Sequence, residues 1–170
     1  MEPFIVDAKT IVLLLTTLLT GLLAGIFFTW SNAITPGIGR LDDINYLSAF
    51  QNMNRTIVNP LFLIIFMGPV FLSFVTAYLY KSNHSNILWL LLLATILYFV
   101  GVFLVTIIGN IPLNNLLDKT DLTNISLEEA RSLRDKFELK WNNLHLVRTI
   151  TSTLSFLLLI IACLFRNSIF

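Results

Sequence analysis

Long apolar stretches alternate with short charged ones along this chain. Lys9 to Arg40 encloses 30 residues without Asp, Glu, Lys or Arg, Arg55 to Lys81 encloses 25, Lys81 to Asp118 encloses 36, and Arg148 to Arg166 encloses 17. A helix crossing a bilayer needs about 20 mostly apolar residues. The pattern therefore predicts four spans, near 10–30, 60–80, 87–108 and 149–165. The bilayer core accepts only structures that satisfy their own backbone hydrogen bonds. Runs this long, without strict alternation, read as helices rather than barrel strands. The expected fold class is all-α, an integral membrane four-helix bundle forming a single membrane domain over residues 1–170. The leader mixes Glu2 and Asp7 with Lys9, so the first span reads as a mature helix rather than a signal peptide.

The connections are unequal. Lys81–Asn86 is a tight turn, whereas Ser31–Asn59 and Gly109–Arg148 are long and fall on one side of the membrane. Each long connection contains a helical pattern. Ile44, Leu47, Phe50 or Gln51, Asn54 and Val58 recur at helical spacing within 42–58. Ser126 and Glu129 form a capping box, and no Gly or Pro follows before Phe165. One helix is thus predicted from Leu127 into the fourth span, with 127–148 as a charged extension outside the membrane. The long-connection side carries eight Lys or Arg residues against three on the other, which favours that side as the cytoplasmic one, and the expected location is the plasma (inner) membrane.

The two halves resemble each other. Gly25 and Phe27 precede Pro36 by the same spacing as Gly101 and Phe103 precede Pro112, and each half meets Arg-Thr-Ile at its second span, Arg55–Ile57 and Arg148–Ile150. This suggests a helical hairpin used twice.

Composition narrows the function. Hydrophobic residues make up 56% and charged residues 12%, which excludes a simple soluble enzyme. A net charge of +1 without a basic run gives nucleic acid no purchase. Cys163 is the single cysteine, so neither an internal disulfide nor a cysteine metal cage can form. No span carries Asp or Glu, and His84 lies in the opposite turn from His145, so no metal site or bis-histidine haem is expected. No cofactor is implied. Gly21 and Gly25 make a small-residue face, read first as packing within the bundle and second as a homo-oligomer contact.

The polar residues are asymmetric. One end of the bundle collects Asn32, Gln51, Asn54, Asn110, Asn114, Trp141, His145 and Arg148. Trp141, His145 and Arg148 stand at i, i+4 and i+7, on one helical face. His is the side chain suited to proton exchange near neutral pH. A neighbouring arginine keeps it neutral, able to act as a base, and can hold a developing anion. Trp141 offers a flat partner for an aromatic ligand. The plainer alternatives are ordinary interface chemistry and a His145 bonded to a loop carbonyl.

The segment from Gly21 to Pro36 resembles the opening span of the anthrone oxygenase family of small membrane proteins. The likeness continues through Phe50-Gln51-Asn52-Met53-Asn54, Asn59-Pro60, Gly109-Asn110-Ile111-Pro112-Leu113-Asn114 and Trp141-x-x-x-His145-x-x-Arg148. The resemblance implies a four-helix membrane bundle. Fungal members look like enzymes that oxidise an anthrone to an anthraquinone with O2 and no recognised cofactor. Placed on these motif positions, His145 would be the base, and Arg148, Asn110 and Asn114 would hold the oxygens. Trp141, Gln51, Asn54 and Asn32 complete the expected substrate-binding set.

Three functions stay open at this point: a cofactor-independent oxygenase acting on a small hydrophobic aromatic molecule, a carrier for such a molecule, and a structural membrane protein that binds partners through its charged helix. Family likeness alone does not choose between them.

Overall fold

The computed structural model describes residues 7–82 and 86–165, and these form five helices with no strand. His84 and Arg166 lie outside the described residues. Helix α1 runs Ala8–Ile38, α2 Asp43–Ile57, α3 Pro60–Leu79, α4 Asn86–Asp118 and α5 Leu127–Phe165. All but α2 are long and apolar enough to cross a membrane.

Local chemistry sets the starts. The carboxylate of Asp7 accepts from the Thr10 amide at 2.9 Å, Asp42 from Asn45 at 3.0 Å, and Asn59 Oδ1 from Phe62 at 3.0 Å. Pro60 then occupies the first turn of α3, where no N–H is missed. The capping box at α5 is complete: Glu129 accepts from the Ser126 amide at 3.0 Å, and the Ser126 hydroxyl accepts from the Glu129 amide at 3.2 Å. Helix α5 continues unbroken for 39 residues, as its sequence predicts.

The ends of α1 and α4 differ from expectation. The first and third helices do not stop near residues 30 and 108; they pass through π-helical turns at Trp30–Ile34 and Thr106–Asn110 and continue beyond. The Thr35 amide reaches back five residues to Trp30 O, and the Ile111 amide reaches back five to Thr106 O. A proline follows each turn, Pro36 and Pro112. Proline lacks an N–H and crowds the carbonyl four residues earlier, and the wider turn relieves both problems without ending the helix.

The four long helices form a ring in which α1 packs on α3 and α5, and α4 packs on α3 and α5. Helix α2 lies across one end, against α5 and the end of α4. The core divides into three clusters. Leu13, Tyr80, Leu91 and Leu159 fill the far end; Leu23, Phe27, Phe66, Tyr98 and Val102 fill the middle; Tyr46, Phe50, Leu117, Phe137 and Trp141 fill the end under α2. Hydroxyls join the helices between these layers. Thr16 meets Thr76 at 2.9 Å, Ser155 donates to Ala94 O at 2.9 Å, and Tyr98 donates to Phe66 O at 2.7 Å. Phe71, Trp89, Ile96 and Ile108 point outward from the ring, a surface that lipid covers and water would not.

The α2 end is tied down by Arg134. It pairs with Asp43 at 3.0 Å and Glu138 at 2.7 Å, donates to the carbonyls of Gly39 and Leu41, and lies over the Tyr46 ring. Tyr46 is fully buried and its hydroxyl has no hydrogen-bond partner.

Candidate functional site

Because α5 is one continuous α-helix, its i, i+4, i+7 face turns inward as a unit. Trp141, His145 and Arg148 are all buried, at 4%, 2% and 6% exposure. The Trp141 ring stacks on the His145 ring at 4.8 Å and 16°. Phe27 meets His145 edge-on at 5.3 Å, and Trp30 stands 5.7 Å from Trp141.

Hydrogen bonds fix the state of the imidazole. A guanidinium can only donate. Arg148 Nη2 lies 2.8 Å from His145 Nδ1, so Nδ1 accepts and carries the lone pair. The ring proton is then on Nε2, which donates to Phe27 O at 3.1 Å. His145 is a neutral imidazole with both nitrogens engaged. The plainer alternative of a histidine resting on a carbonyl is thus half of the arrangement, and the arginine on its lone pair is the other half.

Arg148 is the unusual group. Its Nη1 donates to Thr106 Oγ1 at 3.2 Å, and its Nε is buried without a partner. The ion pairs among the described residues are Arg55–Asp118, Arg134–Asp43 and Arg134–Glu138, so no carboxylate balances Arg148. The rings of Phe27 and Trp141 flank the guanidinium at 4.7 and 5.3 Å. Burying a cation costs several kcal/mol unless it is well paired.

These groups line a cavity of about 180 Å³. Ile26, Phe27 and Trp30 of α1, Phe62, Leu63 and Phe66 of α3, and Thr106, Ile111 and Asn114 of α4 form its walls, with Trp141, His145 and Arg148 on α5. Asn54, Ile57 and Val58 close it from the end of α2. A larger apolar groove of about 670 Å³ runs outside α1 between Leu18 and Ile34, and no ionisable group lines it. Gly21 in that groove packs under Phe156, which agrees with its reading as a contact within the bundle.

Of the residues expected from sequence, His145, Arg148, Trp141, Asn114 and Asn54 meet at this cavity. Asn110 is fully buried but turns its amide to Trp141 O at 3.4 Å, and it does not line the cavity. Gln51 is buried and donates to the carbonyls of Leu117 and Thr120, at 2.8 and 3.2 Å, so it clamps the end of α4. Asn32 is exposed and lies apart. Phe27, Trp30 and Thr106 were not anticipated. Thr106 had a signal, a hydroxyl one helical turn before Asn110 in an apolar run. Among the described residues no three His, Cys, Asp or Glu side chains come together.

Fold and cavity together define a multi-pass membrane protein whose helical bundle holds a buried cation and a neutral histidine in an aromatic chamber near one end. The family model for anthrone oxygenase matches residues 62–158, a stretch that contains Phe62, Thr106, Asn114, Trp141, His145 and Arg148. The chain belongs to the anthrone oxygenase family. No curated protein and no solved structure matches it.

Proposed function

We propose that the cavity is the active site of an oxygenase that needs no cofactor and oxidises the activated ring methylene of an anthrone-like aromatic with O2. The observation that carries this reading is Arg148: a buried guanidinium, lacking a carboxylate, beside the lone pair of His145. Such a site is prepared for an anion that forms during the reaction.

The chemistry follows from the two side chains. The ligand's ring oxygen takes up Arg148, which draws the guanidinium off His145 Nδ1 and releases the base. Nδ1 accepts a proton from the methylene carbon, and the electron pair delocalises onto the ring oxygen, where Arg148 holds it. The proton on the imidazole and the charge on the oxygen appear together, so the chamber gains no net charge. The carbanion gives one electron to O2, and the two radicals join as a C–O bond. The resulting peroxide takes the proton from His145. Nδ1 then removes the second methylene proton as the O–O bond breaks, leaving C=O and releasing water. Per turnover CH2 and O2 become C=O and H2O, a four-electron exchange that balances without another reductant. Trp141, Trp30 and Phe27 supply flat walls for the ring system.

On the positive-inside argument this end of the bundle faces the cytoplasm of the plasma membrane. Labelling of Lys119→Cys from outside intact cells would overturn that side. The activity is tested by O2 uptake and quinone absorbance. Detergent-purified protein is given 1,8-dihydroxyanthrone and related hydroquinones, with uncatalysed oxidation subtracted. Quinone formation that disappears in folded His145→Ala is the expected result. Turnover that survives His145→Ala removes His145 as the base. Ring binding without any turnover replaces the oxygenase by a carrier.

A further inference from the structure

The inner cavity is small for a fused-ring ligand: about 180 Å³, below the roughly 300–1,000 Å³ of pockets that enclose drug-sized molecules. It does not end at Asn54 and Asn114. A second hollow of about 380 Å³ adjoins it, and Asn54, Val58, Ile111 and Asn114 line both. The remaining walls of the hollow are Arg55, Asn115 and Asp118. The chamber is apolar with one cation, and the hollow is more polar than the chamber because Arg55, Asn115 and Asp118 join its walls.

The throat between them is chemically biased. Asn114 Oδ1 accepts from Trp141 Nε1 at 2.7 Å, which fixes the amide and leaves its NH2 to donate. Across the hollow, Arg55 Nε donates to Asp118 Oδ1 at 2.6 Å and its Nη2 to Asp118 O at 3.3 Å. Gln51 pins the backbone on either side of Asp118 by its bonds to Leu117 O and Thr120 O. The carboxylate therefore stays on the guanidinium.

We propose that this hollow is a substituent subsite of the same ligand, and that the Arg55–Asp118 pair selects ring systems bearing neutral oxygen groups over those bearing a carboxylate. The proposal rests on the reading of the chamber as an aromatic-binding site. A hydroxyl or carbonyl at the far edge of the ring finds the Asn114 NH2 and the Asn54 amide. A carboxylate at that edge meets Asp118, and it can reach Arg55 only by displacing it. The ion pair is half exposed, so its effect on affinity is modest, about two- to fivefold.

Equilibrium titration tests this with two dyes and the detergent-purified full chain: 1,8-dihydroxyanthraquinone and the same compound carrying a 3-carboxylate. In Asp118→Asn the ratio of the two Kd values moves about fivefold toward the carboxylated dye, and adding Arg55→Gln cancels the shift. A ratio that stays within about twofold of wild type overturns the subsite, including the case where both affinities fall together because Asp118 only holds the loop. Arg148→Gln in the same titration addresses the chamber separately. If wild type binds neither dye, or Arg148→Gln leaves both affinities unchanged, the aromatic-site reading fails, and the subsite with it.

Discussion

Replacing Arg148 by glutamine separates a working cation from a structural one. The substitution keeps most of the side-chain volume and removes the charge. Two hydrogen bonds go with it, to His145 Nδ1 at 2.8 Å and to Thr106 Oγ1 at 3.2 Å. If the guanidinium holds the developing anion at about 4 Å, the lost attraction is about 4 kcal/mol at an effective dielectric constant near 20. Freeing Nδ1 for the base returns about 1 kcal/mol, the usual net worth of one hydrogen bond. The difference of about 3 kcal/mol corresponds to a fall of about a hundredfold in kcat/KM. Stability moves the other way. The wild-type cation is buried without a carboxylate and with its Nε unpaired, so removing it relieves desolvation. Tm is expected to hold or rise while activity collapses, the opposite of what a packing residue does. The assay is quinone formation from 1,8-dihydroxyanthrone, with Tm and helicity measured on the same preparation. Arg148→Gln within about threefold of wild-type kcat/KM would refute the charge argument. A lower Tm with proportionate loss of folded protein would make Arg148 a structural partner of His145.

Three further predictions concern the stability of the fold. A Cβ at Gly101 would lie 2.5–2.6 Å from three Thr151 side-chain atoms, including its Cβ, so Gly101→Ala forces α4 and α5 apart and costs about 1–3 kcal/mol. Gly25 meets nothing within 4 Å, so Gly25→Ala raises Tm through helix propensity, by up to about 1 kcal/mol, unless that face contacts a second copy. Burial pushes the Tyr46 phenol well above its usual value of 10.0, Glu138 adding to the shift and Arg134 opposing it. Its folded form is protonated where the unfolded one ionises, so its contribution is full below about pH 10 and is lost as pH rises beyond. Thermal unfolding from about pH 9 to about 11 should therefore be steeper in wild type than in Tyr46→Phe, and parallel curves would remove Tyr46 from the explanation.

What could be read in the sequence is what a single helix decides. Charge-free runs gave the four long helices, and the Ser126 capping box gave a rigid α5. Spacing along that rod was enough to put Trp141, His145 and Arg148 on one face. Where the register changes, the count fails. A π turn inserts extra chain, so the facing of every later residue departs from a 3.6-residue count. Asn32 sits inside such a turn and ends outside the site. The asparagines of α4 show a second limit. Both meet the same tryptophan, Asn110 at its carbonyl and Asn114 at its indole N–H. Choosing between ligand and neighbour as the partner of a buried amide needs the tertiary structure. Gln51 shows the same, since its acceptors are 66 and 69 residues away.

The two Arg-Thr-Ile segments end differently, one arginine at the surface and the other buried. The π turns at Trp30–Ile34 and Thr106–Asn110 stand at the same distance before Pro36 and Pro112, and α4 carries a further π segment at Phe99–Leu104. The second helices diverge. In the first half the chain breaks between α2 and α3, at Val58 and Asn59, and Arg55 stays outside on Asp118. In the second half no break occurs, and α5 carries Arg148 past the equivalent point into the bundle, where no carboxylate among the described residues pairs with it. The break also borders the cavity, since Ile57 and Val58 line it together with Arg148. One half of the chain thus closes the cavity and the other provides its charge. A cation set on an unbroken helix and flanked by the Phe27 and Trp141 rings needs little rearrangement when negative charge develops, which is the condition for electrostatic catalysis.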